Sequence, residues 1–195
     1  MKRIGIFVDV SNLYYCISKK FDRRKLDYKK YYNFIKDLGE IQQAIAYGAQ
    51  LRGEASSFLH CLKKIGFESK YKITKTFHNA DGIRRKADCD VTITIDIVNM
   101  INSIDMVVLG SADGDLAPTV GWVRSHGVDV VVFASGISRD LKDVATKYIE
   151  IPESLLETYQ PNILTPEPIP PVTIKEAKEI LNENQANIHR DLPPA

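Results

Sequence analysis

At 195 residues, 44% hydrophobic and 26% charged, the chain has the composition of a soluble globular protein with room for one domain and a modest appendage. No apolar run approaches the ~20 residues of a membrane-spanning helix, so no membrane association is expected. A net charge of +1 excludes a uniformly basic nucleic-acid protein, although eight Lys or Arg stand against two Asp between residues 19 and 36, and a second basic group lies between residues 70 and 86.

Residues 3–9 read Arg-Ile-Gly-Ile-Phe-Val-Asp, a nearly continuous apolar run suited to a strand buried on both faces of a parallel sheet. The run stops at Asp9, which the pattern therefore places at the carboxyl edge, where open α/β sheets bind ligands. Residues 13–20 are helix-compatible, and Asp27 caps a second helix with Tyr31, Phe34, Ile35 and Leu38 at helical spacing. Gly39 stops it. Residues 40–48 predict a second strand, 55–65 a helix ended by Gly66, and 67–77 a third strand. Residues 78–87 read as a polar, basic connection, after which Asp88 or Asp90 opens a helix running to about residue 103. Residues 105–110 predict a fourth strand, 115–126 a helix ended by Gly127, 128–134 a fifth strand, and 138–147 a last helix followed by a short segment at 148–151. Strand and helix alternate about five times, which predicts an α/β domain with a parallel sheet and helices on both faces.

The predicted domain covers residues 1–151. Residues 152–195 form a stiff linker containing Pro161, Pro166, Pro168, Pro170 and Pro171, then a short helix at 173–187 that opens with a Thr-x-x-Glu capping box. This tail is expected to dock on its own domain, with a homo-oligomer or a protein partner as the alternatives. Cys16, Cys61 and Cys89 are odd in number and widely spaced, so neither a disulfide framework nor a zinc site is expected. With no apolar signal segment at its start, the chain is expected to be cytoplasmic.

The acids carry the chemistry. Asp113 and Asp115, in Gly-Ser-Ala-Asp-Gly-Asp, directly follow the fourth strand and so belong to the carboxyl edge. Helices in such a sheet run antiparallel to the strands, so Asp90, in a first turn, reaches the same rim. If strands one and four are neighbours, Asp9, Asp90, Asp113 and Asp115 converge there from three separate segments. Crowded carboxylates raise one another's pKa and call for a compensating cation. A hard divalent ion, Mg2+ or Mn2+, suits oxygen ligands and supports in-line displacement at phosphorus. Several of these residues also have a plainer explanation: Asp113 or Asp115 as a helix cap, Asn12 likewise, and Asp90 as a favourable charge at a helix start. None of these accounts for Asp9 at the end of a buried strand.

Asp96 lies ~9 Å further along its helix and about 120° round the axis from Asp90, which fits a structural or supporting role; Asp88 is nearer the edge but is also placed to cap. Arg84, Arg85 and Lys86 are positioned to hold a phosphate backbone, or to be a solvated loop. Tyr14, Tyr15, Phe77 and His78 are either stacking platforms for unpaired bases or core aromatics. Trp122 and Met100 are expected in the core.

Phe-Val-Asp9-Val-Ser-Asn12, Lys86 ahead of Asp90-Val with Asp96 following, and Gly-Ser111-Ala-Asp113-Gly-Asp115-Leu-Ala-Pro before a helix together resemble the NYN domain family, in the LabA-like branch of the PIN-like nuclease superfamily. The resemblance covers about residues 3–150. It implies a three-layer α/β/α sandwich with parallel strand order 3-2-1-4-5, a pocket binding Mg2+ or Mn2+, and metal-dependent cleavage of RNA, with Asp9, Asp90, Asp113 and Asp115 around the metal and Asn12 and Ser111 supporting. Ala112 stands where this branch usually has Gly, a conservative departure; Asp88 beside Asp90 is an extra acid. Three other readings fail at specific positions: a haloacid dehalogenase-type phosphatase needs an acid at Ser11, a von Willebrand A-type adhesion site needs Ser at Leu13, and a dinucleotide fold needs Gly-x-Gly-x-x-Gly after the first strand. The remaining rival is a catalytically silent NYN domain that binds RNA or protein.

Overall fold

The computed structural model describes residues 1–50, 56–73, 75–79, 82–86 and 89–158. The chain divides into two units, Met1–Thr158 and Tyr159–Ala195, and the described residues all belong to the first. Residues 152–158, the start of the predicted linker, are among the described residues, whereas its remaining prolines and the predicted terminal helix lie outside them.

Chain order runs β1 (Arg3–Asp9), α1 (Val10–Lys20), α2 (Tyr28–Lys36), β2 (Glu40–Gln50), α3 (Ser56–Ile65), β3 (Glu68–Ile73), β4 (Lys75–Asn79), β5 (Gly82–Lys86), α4 (Asp90–Met100), β6 (Met106–Gly110), α5 (Ala117–Ser125), β7 (Asp129–Ala134), α6 (Arg139–Val144) and β8 (Lys147–Glu150). Single turns of 3-10 helix occupy Gly114–Leu116 and Glu153–Leu155. None of the described helices is long and apolar enough to cross a membrane.

The main sheet has six parallel strands in the order β3-β2-β1-β6-β7-β8. The order 3-2-1-4-5 is therefore present, with β8 added as a sixth strand beyond the fifth. Direction reverses between β1 and β6, so right-handed crossovers put α1, α2 and α3 on one face and α4, α5 and α6 on the other. β1 sits centrally, with Ile4, Ile6, Phe7 and Val8 fully buried. Tyr31 of α2 stacks on Phe133 of β7 at 4.6 Å between ring centroids and donates its hydroxyl to the Phe133 carbonyl at 2.9 Å, so the ring is buried without orphaning its polar tip.

Two expectations change. Residues 67–77 divide between β3, in the main sheet, and β4, which pairs with β5 as a separate antiparallel hairpin. Apolar–polar alternation runs through the join, so nothing in the pattern marks the change of sheet, and residues 82–86, read as connection, form the second hairpin strand. Trp122 is 38% exposed and lies against the His126 ring rather than in the core, because α5 turns Val120 and Val123 inward instead. Met100 does pack against the core from a partly buried position.

Gly66 and Gly127 end their helices with φ of +121° and +79°, conformations that favour glycine. Gly39 serves another purpose. A Cβ there would stand 2.4 Å from the Lys2 carbonyl, so the residue is small to let β2 start beside β1. Beyond β8, Leu155 and Leu156 are buried, and Leu156 bridges Leu26.

Candidate active site

The carboxyl edge is built from the ends of β1 and β6, which pair up to Val8 and Gly110. At the end of β1, Asp9 takes an extended conformation and caps α1, accepting the Asn12 amide at 3.0 Å. Asn12, free of capping duty, accepts the Ala112 amide on its own Oδ1 at 2.9 Å and ties α1 to the loop after β6. Within that loop Ser111 is fully buried and its Oγ accepts the Asp113 amide at 3.2 Å. Asp113 in turn accepts the Asp115 amide at 3.1 Å, capping the 3-10 turn. The cap role and the gathering of acids are thus the same geometry.

Asp90 is the first residue of α4 and arrives from the opposite face. One carboxylate oxygen each from Asp90, Asp113 and Asp115 lies within 4.8 Å of the others. Asp90 and Asp113 are half-buried and Asp115 is exposed. Asp9 is not in this group of three but borders it: Asn12 links its cap to the Asp113 loop, and both carboxylates act on Cys16. Burial raises the Cys16 thiol above its ordinary range, Asp113, Asp9 and Glu150 add to the rise, and Lys19 opposes it. The Cys16 Sγ stands 3.8 Å from Asn12 Oδ1.

Asp96 is occupied elsewhere. It accepts the Tyr47 hydroxyl at 2.6 Å and pairs with Lys70 at 2.9 Å. Burial, with the Asp96 bond adding to it, pushes the Tyr47 hydroxyl well above its usual range. Since Tyr47 pairs with Asp9 across the sheet and Lys70 pairs with Tyr47, this network underlies the rim on the α4 side.

Helix α1 crosses the edge like a beam. It begins at the end of β1, touches the loop after β6 through Asn12, and ends where Lys20 pairs with Glu150 of β8 at 3.1 Å. Glu150 also accepts the Gly136 and Ile137 amides at 3.0 and 3.4 Å. Burial alone would raise its carboxyl; those amides and Lys20 together hold it below the ordinary value.

Sequence reasoning missed two acids at this edge, Glu150 and Asp140. A Cβ on Gly114 would meet Asp140 Oδ2 at 3.3 Å, so the first turn of α6 brings its carboxylate beside the 3-10 turn. The signal was available: Asp140 opens the helix after β7 as Asp90 opens α4, and Glu150 ends β8 as Asp9 ends β1. Arg84, Arg85 and Lys86 lie on β5, paired by backbone with Phe77, Thr76 and Lys75. Their side chains, those of Phe77 and His78, and the whole of Asp88 lie outside the described residues.

The donor set Asp90, Asp113 and Asp115 is all carboxylate oxygen, with no His or Cys in the group. Among the described residues neither Asp113 nor Asp115 has an ion-pair partner. These residues fit a hard divalent cation better than a soft one.

A parallel α/β sandwich with acids gathered where β1 and β6 end is a PIN-like architecture. The NYN domain family model matches residues 3–156, and the chain belongs to that family. It is 28% identical over 160 residues to "Low amplitude and bright protein LabA" of Synechococcus elongatus, covering 76% of this chain and 83% of the relative. A crystal structure of a protein of unknown function from Vibrio parahaemolyticus superposes with a TM-score of 0.71 at 29% identity, over 80% of this chain and 96% of that one.

Proposed function

We propose that this NYN domain is a metal-dependent endoribonuclease that hydrolyses phosphodiester bonds of single-stranded RNA in the cytoplasm. The observation that carries the reading is the approach of Asp90, Asp113 and Asp115 to within 4.8 Å at the sheet's switch point. Those three, with Asp9 at their border, would hold Mg2+ or Mn2+, which when bound supplies charge neutralisation and Lewis acidity toward a phosphodiester. The chain's own residues set the stage. Asn12 and Ser111 fix the loop that carries Asp113 and Asp115, so the acids are held before substrate arrives. Asp96 keeps Lys70 and Tyr47 in place beneath the rim, and Asp88 is assigned a supporting role beside Asp90. Arg84, Arg85 and Lys86 are assigned to the RNA backbone as an electrostatic clamp. Catalysis belongs to residues 1–151; residues 152–195 are left to contacts with the domain, a second copy or a protein partner.

The test is cleavage of end-labelled single-stranded RNA by purified full-length chain, with and without Mn2+, beside Asp9→Asn and Asp113→Asn. The expected loss is at least about 100-fold in rate for each variant. Equal cutting by wild type and variants would assign the activity to a contaminant. RNA that is bound yet cut by none of them would make this a silent RNA-binding NYN domain.

A further inference from the structure

Tyr14 and Tyr15 stand on α1 with 56% and 66% of their surface exposed. Leu13 and Ile17 of the same helix are fully buried, so α1 is firmly seated and its outer side is fixed in direction. Ser11, Tyr15 and Lys19, all exposed, recur every four residues along one outer line of the helix. Among the described residues neither tyrosine makes a ring contact with another aromatic or a cation, and Lys19 has no carboxylate within ion-pair distance. Lys20, by contrast, is committed to Glu150. The line flanks the side of α1 that meets the acidic loop: Tyr15 and Lys19 follow Asn12 and Cys16 by three residues each, and Asn12 holds the Ala112 amide of the loop that carries Asp113.

We propose that Tyr15 and Lys19 form a subsite for single-stranded RNA on the outer face of α1, the ring stacking on one base and the ammonium meeting a phosphate, on the path into the acidic crevice. This rests on RNA being the substrate class. Steps of four residues advance ~6 Å along the helix, about the length of one extended nucleotide. Stacking on an exposed ring needs an unpaired base, which duplex RNA does not offer. An apolar protein segment is a poorer occupant, because the neighbours of Tyr15 on this line are a hydroxyl and an ammonium. Tyr14, 100° away round the axis, lies off the line and serves as the internal control.

Fluorescence anisotropy with a labelled oligouridylate and with a duplex RNA, in EDTA so that no cleavage intervenes, tests the subsite on the full-length chain. Tyr15→Ala is expected to weaken single-strand binding about 10-fold, within the range of losses seen for stacked bases. Tyr15→Trp restores it, Tyr14→Ala stays within about twofold of wild type, and duplex affinity is unchanged. Lys19→Met is expected to lower the salt slope by about one. Wild-type binding by Tyr15→Ala, failure of folded Tyr15→Trp to restore affinity, an equal loss for Tyr14→Ala, or no RNA binding at all would each overturn the proposal. The two readings fail separately: Tyr15-dependent binding without any cleavage removes the nuclease and leaves the subsite, whereas Asp113-dependent cleavage with the Tyr15→Ala KM unchanged removes only the subsite.

Discussion

The two ends of the parallel sheet handle charge in opposite ways. At the amino edge two aspartates have dedicated cations: Lys2 pairs with Asp129, and Arg3 grips Asp105 through two side-chain bonds of 2.7 and 3.1 Å and its own backbone amide at 2.9 Å. At the carboxyl edge Asp90, Asp113 and Asp115 face one another instead. The same chain thus pairs Asp105 and Asp129 with cations at one edge and sets three carboxylates against one another at the other. The contrast separates acids committed to ion pairs from acids gathered about a common point, a distinction no count of charges reveals.

Adding Mn2+ should break the symmetry between the edges most visibly. Binding to the native state alone, at about 100 times the dissociation constant, stabilises by ~2.7 kcal/mol, which for a domain of this size raises Tm by about 5–10 °C. Asp90→Asn combined with Asp113→Asn should abolish the shift, while Asp129→Asn at the amino edge should keep it. A shift that survives the carboxyl-edge pair would place the ion elsewhere.

The amino edge should answer to packing instead. Gly39→Ala sets a Cβ against the Lys2 carbonyl at 2.4 Å, a clash with backbone rather than with a movable side chain. A loss of about 1–3 kcal/mol in urea unfolding is expected, with Mn2+ affinity intact. Unchanged stability would mean that β1 and β2 can part at that end without cost.

The smallest effect concerns acid. Arg3 holds the Asp105 carboxyl down at about 2, chiefly by its side-chain hydrogen bond, whereas an unfolded Asp titrates at about 3.9. Depression in the folded state means the pairing stabilises above pH ~4 and loses that contribution as pH falls toward 2. Asp105→Asn should flatten this arm of a Tm-against-pH profile; an identical slope in the variant would assign the acid sensitivity to other carboxylates.

Much of this was legible from residue order. The apolar runs of β1, β6 and β7 announce buried parallel strands, and the rule that helices begin where such strands end brings Asp90 to Asp113 and Asp115. What stayed hidden depends on tertiary pairing. Asn12 is open to a cap or a supporting role and Asp9 reads as a ligand without a cap role; the structure reverses this, the Asn12 amide bonding Asp9 as the cap and the Asn12 side chain holding the Ala112 amide at 2.9 Å. The hairpin was invisible because period-two alternation reports strand, not which sheet the strand joins. Tyr14 and Tyr15 read more readily as core and are instead exposed, since a short amphipathic helix does not declare how far its flank is covered.

The beam-like course of α1 bears on how the protein comes into being. Its attachments reach from Asn12 to Ala112 and from Lys20 to Glu150, separations of 100 and 130 residues. Contacts that distant close late, after nearer ones have shortened the intervening loops. A nascent chain still lacking β8 has made every aspartate of the cluster and can form the Asn12–Ala112 tie, but the far end of α1 still lacks its Lys20–Glu150 pair, so that end is among the last parts of this edge to be fixed during synthesis.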